Sequence, residues 1–248
     1  MINIKGKWAL LTGSNKGIGY QTAKFMAANG CNLVLHGRKP TETDGVLREV
    51  IEAGVKAYAV SAELSDASQV TKMLQEIDSN GTDIDIVLNN AGVQIAYRNN
   101  IYDTPVEDFT ASFLINTIAP AMICYHFIPK MLKKGFGRIL NTTSDIKYDP
   151  QQAGYSASKA ALDKITIDVG SKLNGTDVMI NLTNPSWCRT DLGGPEAPNS
   201  VESVIPGIVV GVFVNDKKSG RLFNAQDFKD MSLEEAVKKA EATLDSPY

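Results

Sequence analysis

The sequence predicts a doubly wound α/β fold, a parallel sheet of about seven strands with helices on both faces, in a single domain. Short apolar runs alternate with longer amphipathic stretches along the whole chain, as in repeated strand–helix–strand units. The run Ile84–Leu88 is apolar at every position but Asp85, which is typical of a strand covered on both faces. No repeat, linker or low-complexity segment divides the 248 residues.

Apolar runs rich in aliphatic and β-branched residues, bounded by turn residues, predict the strands. In chain order they are Trp8–Thr12, Asn32–Leu35, Val55–Val60, Ile84–Leu88, Arg138–Thr142, Val178–Thr183 and Leu222–Phe223. The last of these is short because the pattern loosens after Pro185, where Pro, Gly and Ser become frequent.

Apolar residues at helical spacing predict the segments between these strands. The predicted helices are Gly17–Asn29, Thr43–Ala53, one from Ser65 to Gly81, one from Thr104 to Gly135, Tyr155–Leu173 and Ser232–Leu244. Gly30 and Gly54 supply the stop signals of the first two, and Ser65 is expected to cap the third. Thr104 to Glu107 reads as a capping box, and we expect a kink near Pro120.

Composition excludes several classes of function. Hydrophobic residues make up 43% of the chain and the net charge is −3, so it can bury a core and carries no basic stripe for nucleic acid. The three widely separated cysteines and two histidines show no metal-ligand spacing. Residues 1–11 lack a signal-peptide pattern, and Val204–Val214 is too short to span a bilayer. We expect a cytoplasmic protein without metal, membrane or nucleic-acid partners.

A glycine-rich loop joins the first strand to the first helix. Glycines there allow a tight turn and a close approach of the backbone to a pyrophosphate, and the helix start presents N–H groups to it. This is the Rossmann-like arrangement, although an ordinary glycine-rich turn has the same composition. The residues predicted to contact a dinucleotide cofactor are Gly13, Ser14, Asn15, Lys16, Gly17, Ile18 and Gly19.

The end of the second strand predicts which nicotinamide nucleotide is used. An acidic residue at this point binds the ribose 2′-OH of NAD, whereas a cation binds the 2′-phosphate of NADP. Here the strand leads into Arg38 and Lys39 without a carboxylate, and Lys16 adds a further cation. We expect NADP(H) to be preferred over NAD(H), the alternative being that these three are ordinary solvated charges.

Tyr155 and Lys159 stand one helical turn apart, on one face of the fifth predicted helix. A free tyrosine has a pKa of about 10, and an adjacent cation is expected to lower it. Tyr155 could then give a proton to a carbonyl oxygen, or remove one from an alcohol. The same spacing also arises by chance on amphipathic helix surfaces.

Together these motifs resemble the short-chain dehydrogenases/reductases of the compact, single-domain type, most closely the carbonyl-reductase-like branch. The matching segments occur in family order between residue 7 and about residue 192, which is most of the chain. They are Thr12–Gly19, Asn89–Gly92, Asn116, Ser144, Tyr155 with Lys159, and Pro185–Asp191. Glu63 and Ser186 depart from the family pattern, which has aspartate and glycine at these points.

The resemblance implies a role for each matched position. Tyr155 would be the acid/base, Lys159 would bond the nicotinamide ribose, and Ser144 would hold the substrate oxygen, with Thr143 as the competing hydroxyl. Asn116 would kink its helix and hold a proton-relaying water, and Thr190 would touch the nicotinamide carboxamide. The remaining implied cofactor contacts are Arg38, Lys39, Glu63, Leu64, Asn90, Ala91, Gly92, Pro185, Ser186 and Trp187.

The implied function is an NADPH-dependent oxidoreductase acting on a ketone, aldehyde or secondary alcohol. Its substrate would lie under residues 186–215, between the loops Gln94–Asn100, Asp145–Gln152 and Trp187–Ser200. Arg98, Lys147 and Arg189 are the candidate anion-binding side chains of these loops. The alternatives are a catalytically silent NADP(H)-binding sensor and an NAD-linked dehydrogenase. Family members commonly form dimers or tetramers through helices that would here be Pro105–Lys134 and Tyr155–Leu173, while the tail Lys229–Tyr248 has no assigned role.

Overall fold

The computed structural model describes residues 1–243, and these form one parallel sheet of seven strands in the order β3-β2-β1-β4-β5-β6-β7. Each neighbouring pair is parallel. The strands are β1 Trp8–Thr12, β2 Asn32–Gly37, β3 Ala57–Ser61, β4 Ile84–Asn89, β5 Gly137–Thr142, β6 Val178–Asn184 and β7 Leu222–Asn224. The predicted doubly wound, single-domain fold is therefore confirmed.

Helices cover both faces of the sheet and bury a separate apolar cluster on each. They are α1 Gly17–Ala28, α2 Asp44–Glu52, α3 Ala67–Ser79, α4 Val106–Phe113, α5 Ala119–Lys134, α6 Ala153–Leu173, α7 Val210–Phe213 and α8 Leu233–Ala242. One face carries α1, α2, α7 and α8, and the other carries α3, α5 and α6, because their buried residues divide between the two clusters in this way.

Two local predictions were wrong. Asp66, not Ser65, caps α3 by accepting hydrogen bonds from the N–H groups of Ser68 and Gln69. Thr104 does not cap α4, since its hydroxyl donates to the carbonyl of Ile101. α8 does have a capping box, which Ser232 forms, and the predicted helix end at Leu244 lies outside the described residues.

The long helical segment 106–134 is irregular just before Pro120, where Leu114–Ile118 form a π-helical turn. By length and composition this segment could cross a membrane, but half of its most apolar stretch is buried, as in the core helix of a soluble protein. Its buried side chains, among them Ile123 and Phe127, pack in the cluster beneath α3 and β4.

The crossover between β3 and β4 opens a crevice at the C-terminal edge of the sheet. β1 and β4 are neighbours, yet the chain leaves them in opposite directions, so their C-terminal ends open a crevice. The loops that follow β1, β4, β5 and β6 all meet at this edge, because the strands are parallel. These four loops contain most of the side chains that the sequence analysis singled out.

Candidate active site

The glycine loop after β1 has the shape of a phosphate cradle. Gly13 and Gly17 have φ of +64° and +56°, in the left-handed region that other residues rarely adopt. A Cβ at Gly19 would lie 2.0 Å from the carbonyl oxygen of Gly13, so only glycine fits. Within the described residues no side chain caps α1, and its first turn carries no acidic residue. The loop therefore fits an anionic phosphate at a helix N-terminus.

Hydrogen bonds from β4 hold this loop in place. The Thr12 hydroxyl accepts from the main-chain N–H groups of Asn90 and Ala91, both at 3.0 Å. The Asn90 side chain donates to the carbonyl oxygens of Thr12 and Gly13, at 3.0 and 3.1 Å. Ala91 lies close beneath Gly13, because a Cβ on that glycine would be 3.0 Å from its Cα. Asn90 and Ala91 thus shape the loop from below.

His36, which the sequence analysis did not assign to the site, supports the loop from the other side. Its Nδ1 accepts from the N–H of Gly13 at 3.3 Å, and its Nε2 lies 3.0 Å from the carbonyl oxygen of Ala62. Burial lowers the pKa of this imidazole, so it stays neutral. Both the N–H and the hydroxyl of Ser14 donate to the His36 carbonyl. Ser14 is fully buried in this structure.

The cations predicted to bind a 2′-phosphate already have acidic neighbours. Glu42 accepts a hydrogen bond from the Arg38 main-chain N–H at 2.9 Å, and its carboxylate lies 3.5 Å from the Arg38 guanidinium. Lys16 pairs with Asp191, which lies in the segment after β6. Lys39 is exposed. Sequence reasoning missed Glu42 because it follows the strand by several residues and folds back against Gly37.

Two further predicted contacts turn inward. The Glu63 carboxylate accepts hydrogen bonds from the N–H and the hydroxyl of Ser65, both at 3.2 Å. Its main-chain N–H donates to the side chain of Gln69 at 3.0 Å. Leu64 is buried in the apolar cluster on that face of the sheet. Neither side chain is free in this structure to meet an adenine ring.

The structure brings Ser144, Tyr155 and Lys159 together at the crevice. Ser144 follows β5, while Tyr155 and Lys159 begin α6, and the Lys159 ammonium lies 6.0 Å from the centre of the Tyr155 ring. Burial raises the pKa of the Tyr155 phenol, a hydrogen bond with Ser144 opposes the rise, and the Asp145 carboxylate adds to it. The expected lowering of this pKa is therefore not found. Burial is the largest effect on the phenol, and the Lys159 ammonium instead donates to the Thr142 carbonyl at 2.8 Å.

A buried carboxylate lies one turn beyond Lys159. Burial lowers the pKa of Lys159 to about 8, and the negative charge of Asp163 acts in the opposite direction. The pKa of Asp163 is itself raised to about 6, because burial outweighs the Thr143 hydroxyl and the Lys159 charge. Thr143 and Asp163 approach each other without forming a hydrogen bond of ordinary geometry within the described residues. Ser144 is thus the hydroxyl at Tyr155, and Thr143 faces Asp163.

Asn116 sits in the π-helical turn and links three elements. Its amide oxygen accepts from the N–H of Val93 at 2.8 Å, and its amide nitrogen donates to the Val93 carbonyl and the Ser158 hydroxyl. A Cβ on Gly92 would lie 3.3 Å from the Lys159 ammonium and 3.4 Å from the Asn116 amide oxygen. Gly92 therefore lets both side chains approach the end of β4. The Asn116 amide positions its neighbours and has no free N–H to pass a proton.

The segment after β6 forms the other wall of the crevice. Ser186 has φ of +63°, the left-handed conformation that explains why glycine is usual there, and its N–H donates to the Asn184 side chain. Trp187 is exposed and donates to the Gly193 carbonyl at 2.7 Å. Thr190 lies against the glycine loop, because a Cβ on Gly17 would be 3.3 Å from its methyl group. Thr190 thus flanks the glycine loop.

The later part of this segment belongs to the core. Residues Ile208–Val214 are buried in the cluster beneath α1 and α2, so the exposed wall is confined to about residues 186–200. α8 packs on the same cluster through Ala236, Val237 and Ala240. In residues 1–243, no group of three or more His, Cys, Asp or Glu side chains is placed to hold a metal ion.

Comparisons with known proteins agree with this geometry. A short chain dehydrogenase family model matches residues 7–200. A 3-oxoacyl-[acyl-carrier-protein] reductase of Synechocystis is 33% identical over 196 residues, 77% of this chain and 78% of the relative. A metagenomic short-chain oxidoreductase in complex with NADP superposes with a TM-score of 0.68 at 26% identity, covering 74% of this chain and 84% of that one. An NAD+-bound xylitol dehydrogenase shares the fold at 22% identity, with a TM-score of 0.79 and coverage of 90% and 98%.

Proposed function

The chain belongs to the short-chain dehydrogenase family of oxidoreductases, and from this premise we propose that it is an NADPH-dependent carbonyl reductase with Tyr155 as the proton donor. The observation that carries the proposal is the meeting of Ser144, Tyr155 and Lys159 at the crevice beside the glycine loop. When bound, the nicotinamide supplies or accepts the hydride.

Tyr155 is suited to donate a proton. Because burial raises its pKa, the phenol is neutral at physiological pH and can protonate a carbonyl oxygen as the carbonyl carbon is reduced. The Ser144 hydroxyl, bonded to Tyr155, would orient that oxygen. The Lys159 ammonium, held by the Thr142 carbonyl, would stabilise the phenolate that remains.

The cofactor would lie along the glycine loop. The first-turn N–H groups of α1 would bind the pyrophosphate, and Pro185, Ser186, Trp187 and Thr190 would flank the nicotinamide. Arg38 and Lys39 support a preference for NADP(H), since both are exposed where β2 ends. Glu42 opposes the preference by pairing with Arg38. An NADP complex of a similar oxidoreductase favours the phosphorylated form.

Three further expectations accompany this proposal. The unpaired, buried cysteines are compatible with a reducing cytoplasm. Exposed apolar side chains on the segment 106–134, among them Val106, Ile118 and Tyr125, support self-association through that face. The substrate would be a small molecule covered by residues 186–200.

Replacing Tyr155 by phenylalanine tests the assignment. Turnover of a panel of ketones and aldehydes should fall by about 100-fold or more, because the proton donor is lost, while NADPH binding measured by fluorescence persists. Tyr102→Phe is the matched control, since that hydroxyl is on an almost fully exposed side chain. Initial rates of the wild type with NADPH and NADH measure the cofactor preference.

Three results would count against the proposal. Equal turnover by Tyr155→Phe and wild type would remove Tyr155 from the chemistry. A wild type that binds NADPH tightly but reduces no carbonyl compound would instead indicate the catalytically silent sensor. Faster turnover with NADH than with NADPH would favour the NAD-linked alternative.

A further inference from the structure

A shallow cleft, open to solvent, lies directly beside Tyr155. Its walls come from the start of α6, from α4 and from the loop after β4. α4 presses closely on α6 here, since a Cβ on Gly154 would lie 2.8 Å from the carbonyl oxygen of Asp108. A substrate whose carbonyl meets Tyr155 would extend the rest of its structure into this cleft.

The cleft contains a cation whose charge is cancelled. The Arg98 guanidinium donates from Nε and Nη2 to the two carboxylate oxygens of Asp108, at 2.7 and 2.9 Å. This bidentate geometry occupies the face of the guanidinium that would otherwise bind a carboxylate or phosphate. Asp108 is 6% exposed, and the hydrogen bonds from Arg98 lower its pKa, so it stays ionised and paired. The Arg98 main-chain N–H also donates to the Gln151 carbonyl, and this bond holds the loop after β4 against the loop that precedes α6.

The other two candidate cations do not replace Arg98. The Arg189 guanidinium donates to the carbonyl oxygens of Ala197 and Pro198, at 2.9 and 3.0 Å, and so holds its own loop together. Lys147 is exposed and forms no ion pair among residues 1–243, but Asp145 is two residues away. Asp145 also adds to the rise in the pKa of Tyr155, so its carboxylate acts on the site of the reaction.

A polar group in the cleft has no partner. The Ser112 hydroxyl is buried and lines the cleft, and it forms no hydrogen bond within the described part of the chain. A buried hydroxyl without a partner costs about 1–3 kcal/mol, so a ligand that supplies an oxygen or nitrogen there would be bound preferentially. Ile95 and Ala96 supply the apolar part of the lining.

From these contacts we propose that the substrate is an uncharged carbonyl compound carrying a second neutral polar group, and that the Arg98–Asp108 pair excludes carboxylates. The inference rests on the proposed reductase function and adds the charge of its substrate. An anionic substrate would find no free cation in the cleft, and the Asp145 carboxylate would repel it. A neutral ester, amide or hydroxyl group meets no such penalty and can pair with Ser112.

Two compounds that differ only in charge test this proposal. Methyl 4-acetylbenzoate and 4-acetylbenzoate carry the same ketone, and only the second has a carboxylate. We expect kcat/KM of the wild type with NADPH to be at least tenfold higher for the ester. Dissociation constants measured by isothermal titration calorimetry should show the same order, which separates recognition of charge from turnover.

Asp108→Asn tests the role of the pair. It frees the Arg98 guanidinium, so the ester-to-acid ratio of kcat/KM should fall at least tenfold, as should the ratio of affinities. Asp103→Asn is the matched control, because it removes the same charge from the neighbouring turn, where Asp103 bonds Asn100 and not Arg98. Its ratio should equal that of the wild type.

The outcomes separate this inference from the proposed function. Tighter binding or faster turnover of the acid by the wild type overturns the inference, as does an unchanged ratio in a folded Asp108→Asn. If Asp108→Asn does not fold, the wild-type comparison decides alone. Selective binding of the ester without any reduction supports the inference and contradicts the proposed reductase.

Discussion

Replacing Gly19 by alanine should damage both the glycine loop and cofactor binding. The new Cβ would lie 2.0 Å from the Gly13 carbonyl oxygen and 2.7 Å from the Asn90 amide nitrogen, so the loop must move by about 1 Å. The two hydrogen bonds from Asn90 to the loop carbonyls would be lost, at about 1 kcal/mol each. With the steric strain, we expect about 2–3 kcal/mol of destabilisation.

This loss should lower Tm by about 5–10 °C, since 1 kcal/mol corresponds to about 2–4 °C in a chain of this size. A displacement of about 1 Å can cost on the order of 100-fold, so NADPH affinity measured by fluorescence titration should fall by about that factor. Gly45→Ala is the control. It lies exposed in the first turn of α2, and a Cβ there meets no atom within 4 Å, so Tm should be unchanged or slightly higher. Wild-type NADPH affinity in Gly19→Ala would refute the assignment of this loop as the phosphate cradle.

Two further substitutions probe strain and buried charge. Ser186→Gly removes a serine in the left-handed conformation, whose strain costs about 1–2 kcal/mol. The glycine adds about 0.5–1 kcal/mol of chain entropy to the unfolded state, so Tm should rise by up to a few degrees. A lower Tm would show that contacts of the serine side chain stabilise the fold by more than the strain costs. Asp163 has a folded pKa of about 6, above its unfolded value of 3.8, so the stability that comes from its protonation is complete below 3.8 and is lost as pH rises through 6. The free energy of unfolding falls by at most about 3 kcal/mol over this range. In Asp163→Asn, Tm should therefore change less between pH 4 and 6 than in the wild type. An identical dependence of Tm on pH in the variant and the wild type would contradict the burial argument.

The sequence predicted the parts of the fold that depend on local pattern. The strands and most helix bounds follow from apolar spacing and glycine stops, which act within a few residues. Caps were less predictable: Ser65 and Asp66 are both good capping residues, and the geometry of the preceding turn selected Asp66. The sequence analysis expected a kink near Pro120, and the structure has a π-helical turn that centres on Asn116 just before it.

In the candidate site, the sequence predicted which side chains meet better than it predicted their burial and charge pairing. Tyr155 and Lys159 were found from their spacing, yet the predicted fall in the pKa of Tyr155 was wrong because burial dominates. Glu42, His36 and Asp163 were missed, since each matters through a contact made across the fold. The one signal available for Asp163 was its place one helical turn after Lys159.

By itself, the sequence determined the doubly wound fold, the glycine loop and the family, because all three depend on residue types at fixed spacing along the chain. Only the tertiary structure decided which charges remain free. Arg98 and Lys16 are similar cations in the sequence, but each is paired with a carboxylate. Arg98 pairs with Asp108 on another element, and Lys16 pairs with Asp191, which is distant along the chain. Desolvation and pairing depend on distance in space, so they became readable only once the loops had met at the edge of the sheet.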